Sequence, residues 1–203
     1  MSISNLATLI ILVAAFLCGL WLMIPYLYGL PWVPTNDRRI HKALDLARLQ
    51  PGEVLYDLGA GDGRVLIVAA RDYKAHAIGV EISAGLCLVA WFRAIFSHVS
   101  RQVTIRQGNF FKTNIKDADV VFAYMTSSQA PRLIPCLASQ LKPGARVVTI
   151  SFDLEGWQPD EIDDQNLIFL YKMPPTSGDV SSFLLQKLIR EQEAPPAGTD
   201  KST

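Results

Sequence analysis

A run of ten residues, Val54–Gly63, constrains the fold of this chain more than any other segment. It begins as an apolar strand pattern and ends in three alternating glycines, Gly59, Gly61 and Gly63. Because glycine accepts positive φ and lets a ligand approach the backbone, these glycines suit a tight turn beneath a bound cofactor. A helix is predicted over 64–71. The run therefore predicts the strand–turn–helix unit of a nucleotide-binding α/β fold.

Two aspartates within this run, Asp57 and Asp62, argue against a phosphate ligand. Their carboxylates would repel a phosphate, and no Gly-Lys-Ser/Thr ending follows, so a Walker loop is excluded. The spacing also misses the G-x-G-x-x-G dinucleotide fingerprint, whose third glycine lies one residue later. Glu81 lies about 20 residues downstream, where a second strand would place a carboxylate against ribose hydroxyls. We expect a ligand with ribose and no phosphate; purely local roles for the aspartates, as helix cap and turn residue, are the alternative.

The segment 57–63, Asp-Leu-Gly-Ala-Gly-Asp-Gly, together with Glu81, resembles the S-adenosylmethionine site of class I methyltransferases. Further motifs lie at Trp32–Thr35, Gly61–Val65, Gly79–Glu81, Gly144–Val148, Phe152 and Trp157–Pro159. With these motifs, the chain resembles the membrane-anchored protein-lysine methyltransferases related to the mitochondrial enzymes that modify the ATP synthase c-subunit and the adenine nucleotide carrier. This similarity spans roughly 31–171.

The resemblance implies S-adenosylmethionine as the cofactor. Asp57, Asp62 and the glycine turn would approach its methionine moiety, and Glu81 its ribose. Asn109, after the third predicted strand, stands where the wider class commonly has an acidic residue that accepts a hydrogen bond from the adenine amino group. An amide oxygen can also accept that bond. Phe110 is predicted to pack on the adenine, with ordinary core packing as the alternative.

Tyr124 and Thr126 follow the fourth predicted strand, at the carboxyl edge where ligands of open α/β sheets bind. We predict that both line the acceptor channel and act in catalysis; simple packing at a strand end is the alternative. The Asn-Pro-Pro-Tyr or Asp-Pro-Pro-Tyr motif of many amino- and nucleobase-directed methyltransferases is absent there. Methyl transfer to lysine requires a neutral amine, and a desolvated channel lowers the lysine pKa without a dedicated base.

Alternating strand and helix patterns predict an α/β fold with a Rossmann-like, mostly parallel sheet. A helix capped by Asn36 or Asp37 is predicted to run to about Leu49. The resemblance implies a C-terminal antiparallel hairpin, which we assign to Leu167–Lys172 and Ser182–Leu188. Further helices are predicted over 64–71, 83–97 and 130–141, and further strands over 77–81, 103–107, 119–125 and 146–152.

Residues 6–24 form an uninterrupted run of apolar and small residues. Its length is close to the roughly 20 residues that cross a hydrocarbon core, so a transmembrane helix within an anchor over 1–30 is predicted. A cleaved signal peptide fits less well, because no basic residue precedes the run and no A-x-A site ends it. A hydrophobic dimerisation helix stays open. Basic residues just after the run place the catalytic domain in the cytoplasm: Arg38, Arg39, His41 and Lys42.

The remaining composition predicts one catalytic domain over 31–190 and a polar, disordered tail over 191–203. Formal net charge is +0, with 19 basic and 19 acidic side chains, which disfavours a nucleic-acid substrate. Cysteines and histidines lack metal-binding spacing, so no metal site is expected.

These features favour a membrane-tethered methyltransferase that acts on lysine side chains of a membrane-associated protein. Two rivals stay open. One is a methyltransferase whose acceptor is a lipophilic small molecule, and the other is a non-catalytic, cofactor-binding membrane module.

Overall fold

The computed structural model describes residues 3–27 and 35–193, in which helices cover a central sheet. The helices are α1 (Ile3–Leu27), α2 (Asp37–Leu46), α3 (Arg64–Asp72), α4 (Ala84–Phe96), α5 (Ala130–Gln140) and α6 (Val180–Glu193). The strands are β1 (Val54–Leu58), β2 (His76–Glu81), β3 (Val103–Gln107), β4 (Val120–Tyr124), β5 (Arg146–Ile150), β6 (Trp157–Gln158), β7 (Glu161–Asp163), β8 (Ile168–Lys172) and β9 (Thr176–Ser177). Short 3₁₀ turns lie at Phe110–Lys112 and Ser127–Gln129.

Seven of the described strands form one sheet in the order β3-β2-β1-β4-β5-β8-β7. The first five are parallel, whereas β8 runs antiparallel to β5 and β7 antiparallel to β8. This arrangement confirms the predicted Rossmann-like α/β sheet with a C-terminal antiparallel part. Because parallel strands end at the same edge, the loops after β1, β2 and β4 meet at one side of the molecule.

Both faces of the central strands are covered, which explains why β1 and β4 are apolar along most of their length. On one face, Ile40 of α2 and Leu66 of α3 pack against Phe122 of β4. On the other face, Leu133 of α5 packs with Tyr56 of β1. These packed layers hold the strands, and therefore the loops at their ends, in position.

The first helix of the catalytic domain begins where the sequence predicts. The side chain of Asn36 accepts a hydrogen bond from the backbone amide of Arg38 at 2.7 Å and caps α2. The helix ends at Leu46, three residues before the predicted end. Arg48 then adopts a left-handed conformation, with φ of 51°, and this turns the chain toward β1.

The predicted strand over Ser182–Leu188 is wrong, because these residues lie within helix α6. A local cap favours the helix: the Asp179 carboxylate accepts a hydrogen bond from the backbone amide of Ser182 at 2.7 Å. The antiparallel hairpin exists, but β7 rather than the predicted second strand pairs with β8. Sequence reasoning missed β7, which spans only three residues.

The N-terminal prediction is not confirmed. In residues 3–27 and 35–193, no helix combines the length and the apolar character that crossing a membrane requires. The predicted tail over 191–203 begins inside α6, which continues to Glu193, and 194–203 lie outside the described residues. The same holds for 28–34, which include most of the Trp32–Thr35 motif.

Helices α3 and α4 approach each other at Gly63, which precedes α3 and has φ of 76°. A Cβ placed on Gly63 would lie 2.7 Å from the Ala90 Cβ and 3.2 Å from its Cα. Glycine is therefore needed here both for its left-handed backbone and for the close contact with α4.

Replacing Gly63 with alanine should lower the free energy of unfolding by roughly 2–4 kcal/mol, since left-handed strain and overpacking add. Urea denaturation measures the loss, and the Gly63→Ala/Ala90→Gly double variant supplies the control. In the Ala90→Gly background the same substitution should cost less, because the clashing methyl group is gone. An equal cost in both backgrounds would show that contact with α4 is not the reason for glycine.

Candidate functional site

The glycine turn folds back over the end of β2. The backbone amides of Gly59 and Ala60 donate hydrogen bonds to the Val80 carbonyl at 2.9 and 3.1 Å. Gly59 has φ of 94° and Gly61 φ of 54°, so both occupy the left-handed region that favours glycine. A Cβ on Gly59 would meet no atom within 4 Å, so backbone conformation rather than packing requires this glycine. The turn thereby leaves open space above its backbone.

Glu81, the last residue of β2, holds this turn in place. One carboxylate oxygen accepts a hydrogen bond from the Gly61 amide at 2.9 Å, and the other accepts one from the Ser83 amide at 2.9 Å. The side chain is buried. Each oxygen keeps a further lone pair, so Glu81 can still accept hydrogen bonds from hydroxyl groups of a ligand.

Asp57 lies near the end of β1 and is buried, and the described residues offer its carboxylate no ion pair. Burial, together with the nearby charges of Glu81 and Asp62, raises the pKa of the Asp57 carboxyl to about 8. An anion at this position is costly without a cation beside it. The site therefore favours a positively charged ligand group at Asp57.

Asp62 is used differently, because two arginines engage its carboxylate. Arg64 donates from Nη2 at 2.8 Å and from Nε at 3.0 Å, and Arg93 of α4 also pairs with it. Burial alone would raise the pKa of the Asp62 carboxyl, but the hydrogen bonds and the positive charges of these arginines lower it. Arg64 also donates to the Thr35 carbonyl at 2.7 Å. Asp62 thus joins α3, α4 and the segment before α2.

A cavity of about 570 Å³ opens above the carboxyl ends of β1, β2 and β4. Nine predicted site residues line it, and Gly63 does not, since it packs against α4 instead. The nine are Asp57, Gly59, Gly61, Asp62, Glu81, Asn109, Phe110, Tyr124 and Thr126.

Asn109 and Phe110 lie at the β2–β3 side of the cavity. The Asn109 side-chain oxygen accepts a hydrogen bond from the Phe111 amide at 3.0 Å and caps the 3₁₀ turn. Phe110 is buried, and its ring centroid lies 4.3 Å from that of Phe111. Arg132 lies over the Phe111 ring, with 4.4 Å between Cζ and the centroid. An aromatic wall with a polar rim results, which suits a flat heterocycle.

Tyr124 and Thr126 lie on the β4 side. The Arg39 guanidinium lies 5.8 Å from the Tyr124 ring centroid and donates a 3.0 Å hydrogen bond to the Ser151 hydroxyl. The Thr126 hydroxyl is 2.9 Å from that of Ser128. Tyr124 and Thr126, each with a side-chain hydroxyl group, both line the cavity where β4 ends.

Sequence reasoning missed several lining residues. Ile82 and Leu86 follow Glu81 closely, so their position after β2 was a usable signal. Ser151 follows β5, and the same strand-end rule would have found it. Arg132 and Phe111 carried no recognisable signal. Within 3–27 and 35–193, no group of His, Cys, Asp or Glu side chains is arranged to hold a metal ion.

Comparison with known proteins identifies relatives of this chain. A family model described as the ANTKMT methyltransferase domain matches residues 57–161. A protein-lysine N-methyltransferase of Saccharolobus islandicus is 35% identical over 153 residues, which is 72% of this chain and 95% of that protein. An adenine nucleotide translocase lysine N-methyltransferase of Mus musculus is 29% identical over 161 residues, covering 78% of this chain and 70% of that protein.

Among solved structures, an RNA methyltransferase from Salinibacter ruber in complex with S-adenosyl-L-homocysteine superposes with a TM-score of 0.69. It is 37% identical and covers 72% of this chain and 97% of that chain.

The buried Asp57 should make the ligand-free protein less stable as the pH rises. Its folded pKa of about 8 exceeds its ordinary value of 3.8, so the folded state holds the proton more tightly and stability falls between these pH values. Asp57→Asn should remove this pH-dependent part of the unfolding free energy. The unfolding free energy of the variant minus that of wild type should therefore grow from pH 4 to pH 8. A difference that stays constant with pH would mean that Asp57 titrates normally.

Proposed function

Because this chain belongs to the ANTKMT methyltransferase family, we propose that it methylates lysine side chains of a membrane-associated protein. It is an S-adenosylmethionine-dependent methyltransferase, and S-adenosylmethionine is its cofactor. The proposal concerns the acceptor and the place where the enzyme works. The observation that carries it is the cavity, in which a carboxylate without an ion pair, an aromatic wall and two hydroxyl groups converge.

The residues of the cavity fit the cofactor. Asp57 offers a carboxylate to a ligand ammonium group, and Glu81 can accept hydrogen bonds from ribose hydroxyls without releasing the glycine turn. Phe110 and Asn109 fit an adenine ring and its amino group, respectively. A volume of about 570 Å³ lies within the range of small-molecule sites. When bound, S-adenosylmethionine supplies an electrophilic methyl group on a sulfonium.

The acceptor lysine would enter the part of the cavity that Tyr124 and Thr126 line, which we call the acceptor end. A lysine Nζ would have to reach the cavity as a neutral amine, with its proton already lost to solvent, because only a free lone pair could accept the methyl group that the bound cofactor would supply. Apolar lining groups such as Met125 and Phe122 exclude water and lower the lysine pKa. The hydroxyl groups of Tyr124 and Thr126 can orient the amine, and alignment alone accounts for large rate factors. No dedicated base is required by this scheme.

Two observations support a membrane-associated acceptor and a membrane location. One relative is named for an adenine nucleotide translocase, and a translocase is embedded in a membrane. Helix α1 also exposes large apolar side chains along its described length, among them Ile11 and Phe16 at 68% and 67%. We propose that α1 holds the enzyme at a membrane, with the catalytic domain on the cytoplasmic side. Proximity would raise the local concentration of membrane acceptors.

An RNA acceptor is the second candidate, since the Salinibacter structure is titled an RNA methyltransferase. The formal net charge of +0 disfavours it, because phosphate backbones recruit proteins mainly through excess positive charge. A lipophilic small molecule is the third candidate, because it would share the membrane location.

Labelled methyl transfer separates these acceptors. Purified enzyme is incubated with radiolabelled S-adenosylmethionine and with membranes and RNA from a strain that lacks it, and proteins, lipids and RNA are then resolved. We expect a labelled protein whose label maps to lysine. Label confined to the lipid or the RNA fraction would show that the acceptor is a lipid or an RNA rather than a protein lysine. Cofactor binding without any methyl transfer would indicate a non-catalytic module. Asp57→Asn should abolish labelling, whereas Asp119→Asn, outside the cavity, should not.

Removing the hydroxyl groups at the acceptor end should slow turnover but spare the cofactor. We expect Tyr124→Phe and Thr126→Val each to lower kcat roughly tenfold or more through lost alignment. Calorimetry should give an unchanged Kd for S-adenosyl-L-homocysteine. Ser139→Ala, on the far end of α5, is the control. Full turnover in both variants would remove these residues from the mechanism.

A further inference from the structure

Ser151 has an unusual backbone conformation for its residue type. It directly follows β5 and has φ of 66°, in the left-handed region that residues with a Cβ rarely adopt. Its amide donates a hydrogen bond to the Leu167 carbonyl at 2.8 Å. The next residue, Phe152, is buried, and its carbonyl accepts a hydrogen bond from the Thr149 hydroxyl at 2.6 Å. Backbone strain that the surrounding structure maintains in this way is concentrated at functional sites.

Ser151 lies at the acceptor end of the cavity. Strands β4 and β5 run parallel with Tyr124 opposite Ile150, so Ser151 is the residue that follows the strand partner of Tyr124. Both Ser151 and Tyr124 line the cavity, and Ser151 is exposed. Ser151 therefore belongs to the part of the cavity that the acceptor would enter.

The Arg39 side chain, from α2, contacts both of these residues. Its Nη2 donates hydrogen bonds to the Ser151 hydroxyl at 3.0 Å and to the Asn166 carbonyl at 2.6 Å. Its Cζ lies 5.8 Å from the centroid of the Tyr124 ring. A planar guanidinium can donate hydrogen bonds and contact a ring at the same time. One side chain thus holds a hydroxyl group and an aromatic ring at the acceptor end.

The charge of Arg39 has no carboxylate paired with it in the described part of the chain. Two acidic side chains of β7 are paired with other cations, Asp163 with Lys42 at 3.5 Å and Glu161 with Arg48 at 2.6 Å. Arg39 is half-buried, and its buried Nε has no hydrogen-bond partner among the described residues. A partly desolvated charge without a counter-ion is costly. Attachment of α2 to the β7–β8 turn does not explain this arginine, because a neutral donor could bind the same carbonyl.

We propose that Ser151 contacts the methyl acceptor and that Arg39 positions Ser151 and Tyr124 for this contact. A serine oxygen has two lone pairs, and Arg39 occupies one of them. The other can accept an N–H of the acceptor amine, which leaves the nitrogen lone pair free for the methyl group. The identity of the acceptor as an amine rests on the proposed function, whereas the contact between Ser151 and the acceptor does not.

A purely structural role is the competing explanation. Under it, Arg39 and Ser151 only fasten α2 to the loop after β5, and turnover follows stability when either residue is changed. Two substitutions at Ser151 separate these explanations, because both remove the hydroxyl group but only one removes the strain. Glycine accepts a φ of 66° without penalty, and alanine does not.

Turnover and stability of Ser151→Ala and Ser151→Gly are compared with those of wild type. Membranes from a strain that lacks the enzyme supply the acceptor, and radiolabelled S-adenosylmethionine supplies the label. Ser151→Gly should have the higher urea midpoint of the two variants, since its left-handed strain is relieved. Both variants should nevertheless transfer label roughly tenfold more slowly than wild type through lost alignment. Calorimetry should give an unchanged Kd for S-adenosyl-L-homocysteine.

A double-variant cycle tests whether Arg39 acts through Ser151. Arg39→Met should slow transfer roughly tenfold. Arg39→Met/Ser151→Ala should be no slower than Arg39→Met, because the first change already releases the hydroxyl group, whereas independent effects would multiply to roughly a hundredfold. Arg38→Met is the matched control and should keep wild-type turnover, because Arg38 is exposed one position earlier on α2 and does not line the cavity.

The proposal is overturned if Ser151→Gly transfers label at the wild-type rate, or if the effects of Arg39→Met and Ser151→Ala multiply. A weakened affinity for S-adenosyl-L-homocysteine in both Ser151 variants would also overturn it, by placing Ser151 at the cofactor. Label that wild type transfers to lipid or RNA would reject the lysine acceptor instead. The same variants, measured on that fraction, would then still decide the role of Ser151.

Discussion

Three carboxylates buried at one edge of a parallel sheet, with unequal partners, determine what this site can hold. Asp62 is neutralised by Arg64 and Arg93, and Glu81 is occupied by two backbone amides. Asp57 has neither an arginine nor backbone amides as partners among the described residues, and the pKa of its carboxyl is raised to about 8. A ligand phosphate would add to this negative charge, whereas the ammonium group of a methionine moiety relieves it. The same imbalance explains why the glycine turn serves a cofactor other than a dinucleotide.

The sheet brings these residues together at one cavity. Parallel strands bring the glycine turn, Glu81 and the β4 loop to one edge, so these elements line a single cavity. The ion pairs of Asp62 hold α3 and α4 against the turn.

Much of the fold and of the candidate site could be predicted from the sequence, because the signals that decide them are local. The alternating glycines, Asp57 and Glu81 lie at strand ends, and both the strands and the turn follow from short patterns. The packing role of Gly63 could not be predicted, since its close contact with Ala90 joins residues 27 positions apart and leaves no local trace in the sequence. Arg39 was missed as a neighbour of Tyr124 for the same reason, because the fold alone brings them together. At Ser182–Leu188, apolar residues fitted a strand, and the cap by Asp179 decided for a helix.

The most direct test of the charge imbalance is a ¹³C NMR titration of the Asp57 carboxyl, assigned by its loss in Asp57→Asn, with and without S-adenosyl-L-homocysteine. The structure predicts a pKa of about 8 in the free protein and a clear decrease when the ligand ammonium group binds. An ordinary carboxyl pKa in the free protein, or a raised pKa that the ligand leaves unchanged, would contradict the account.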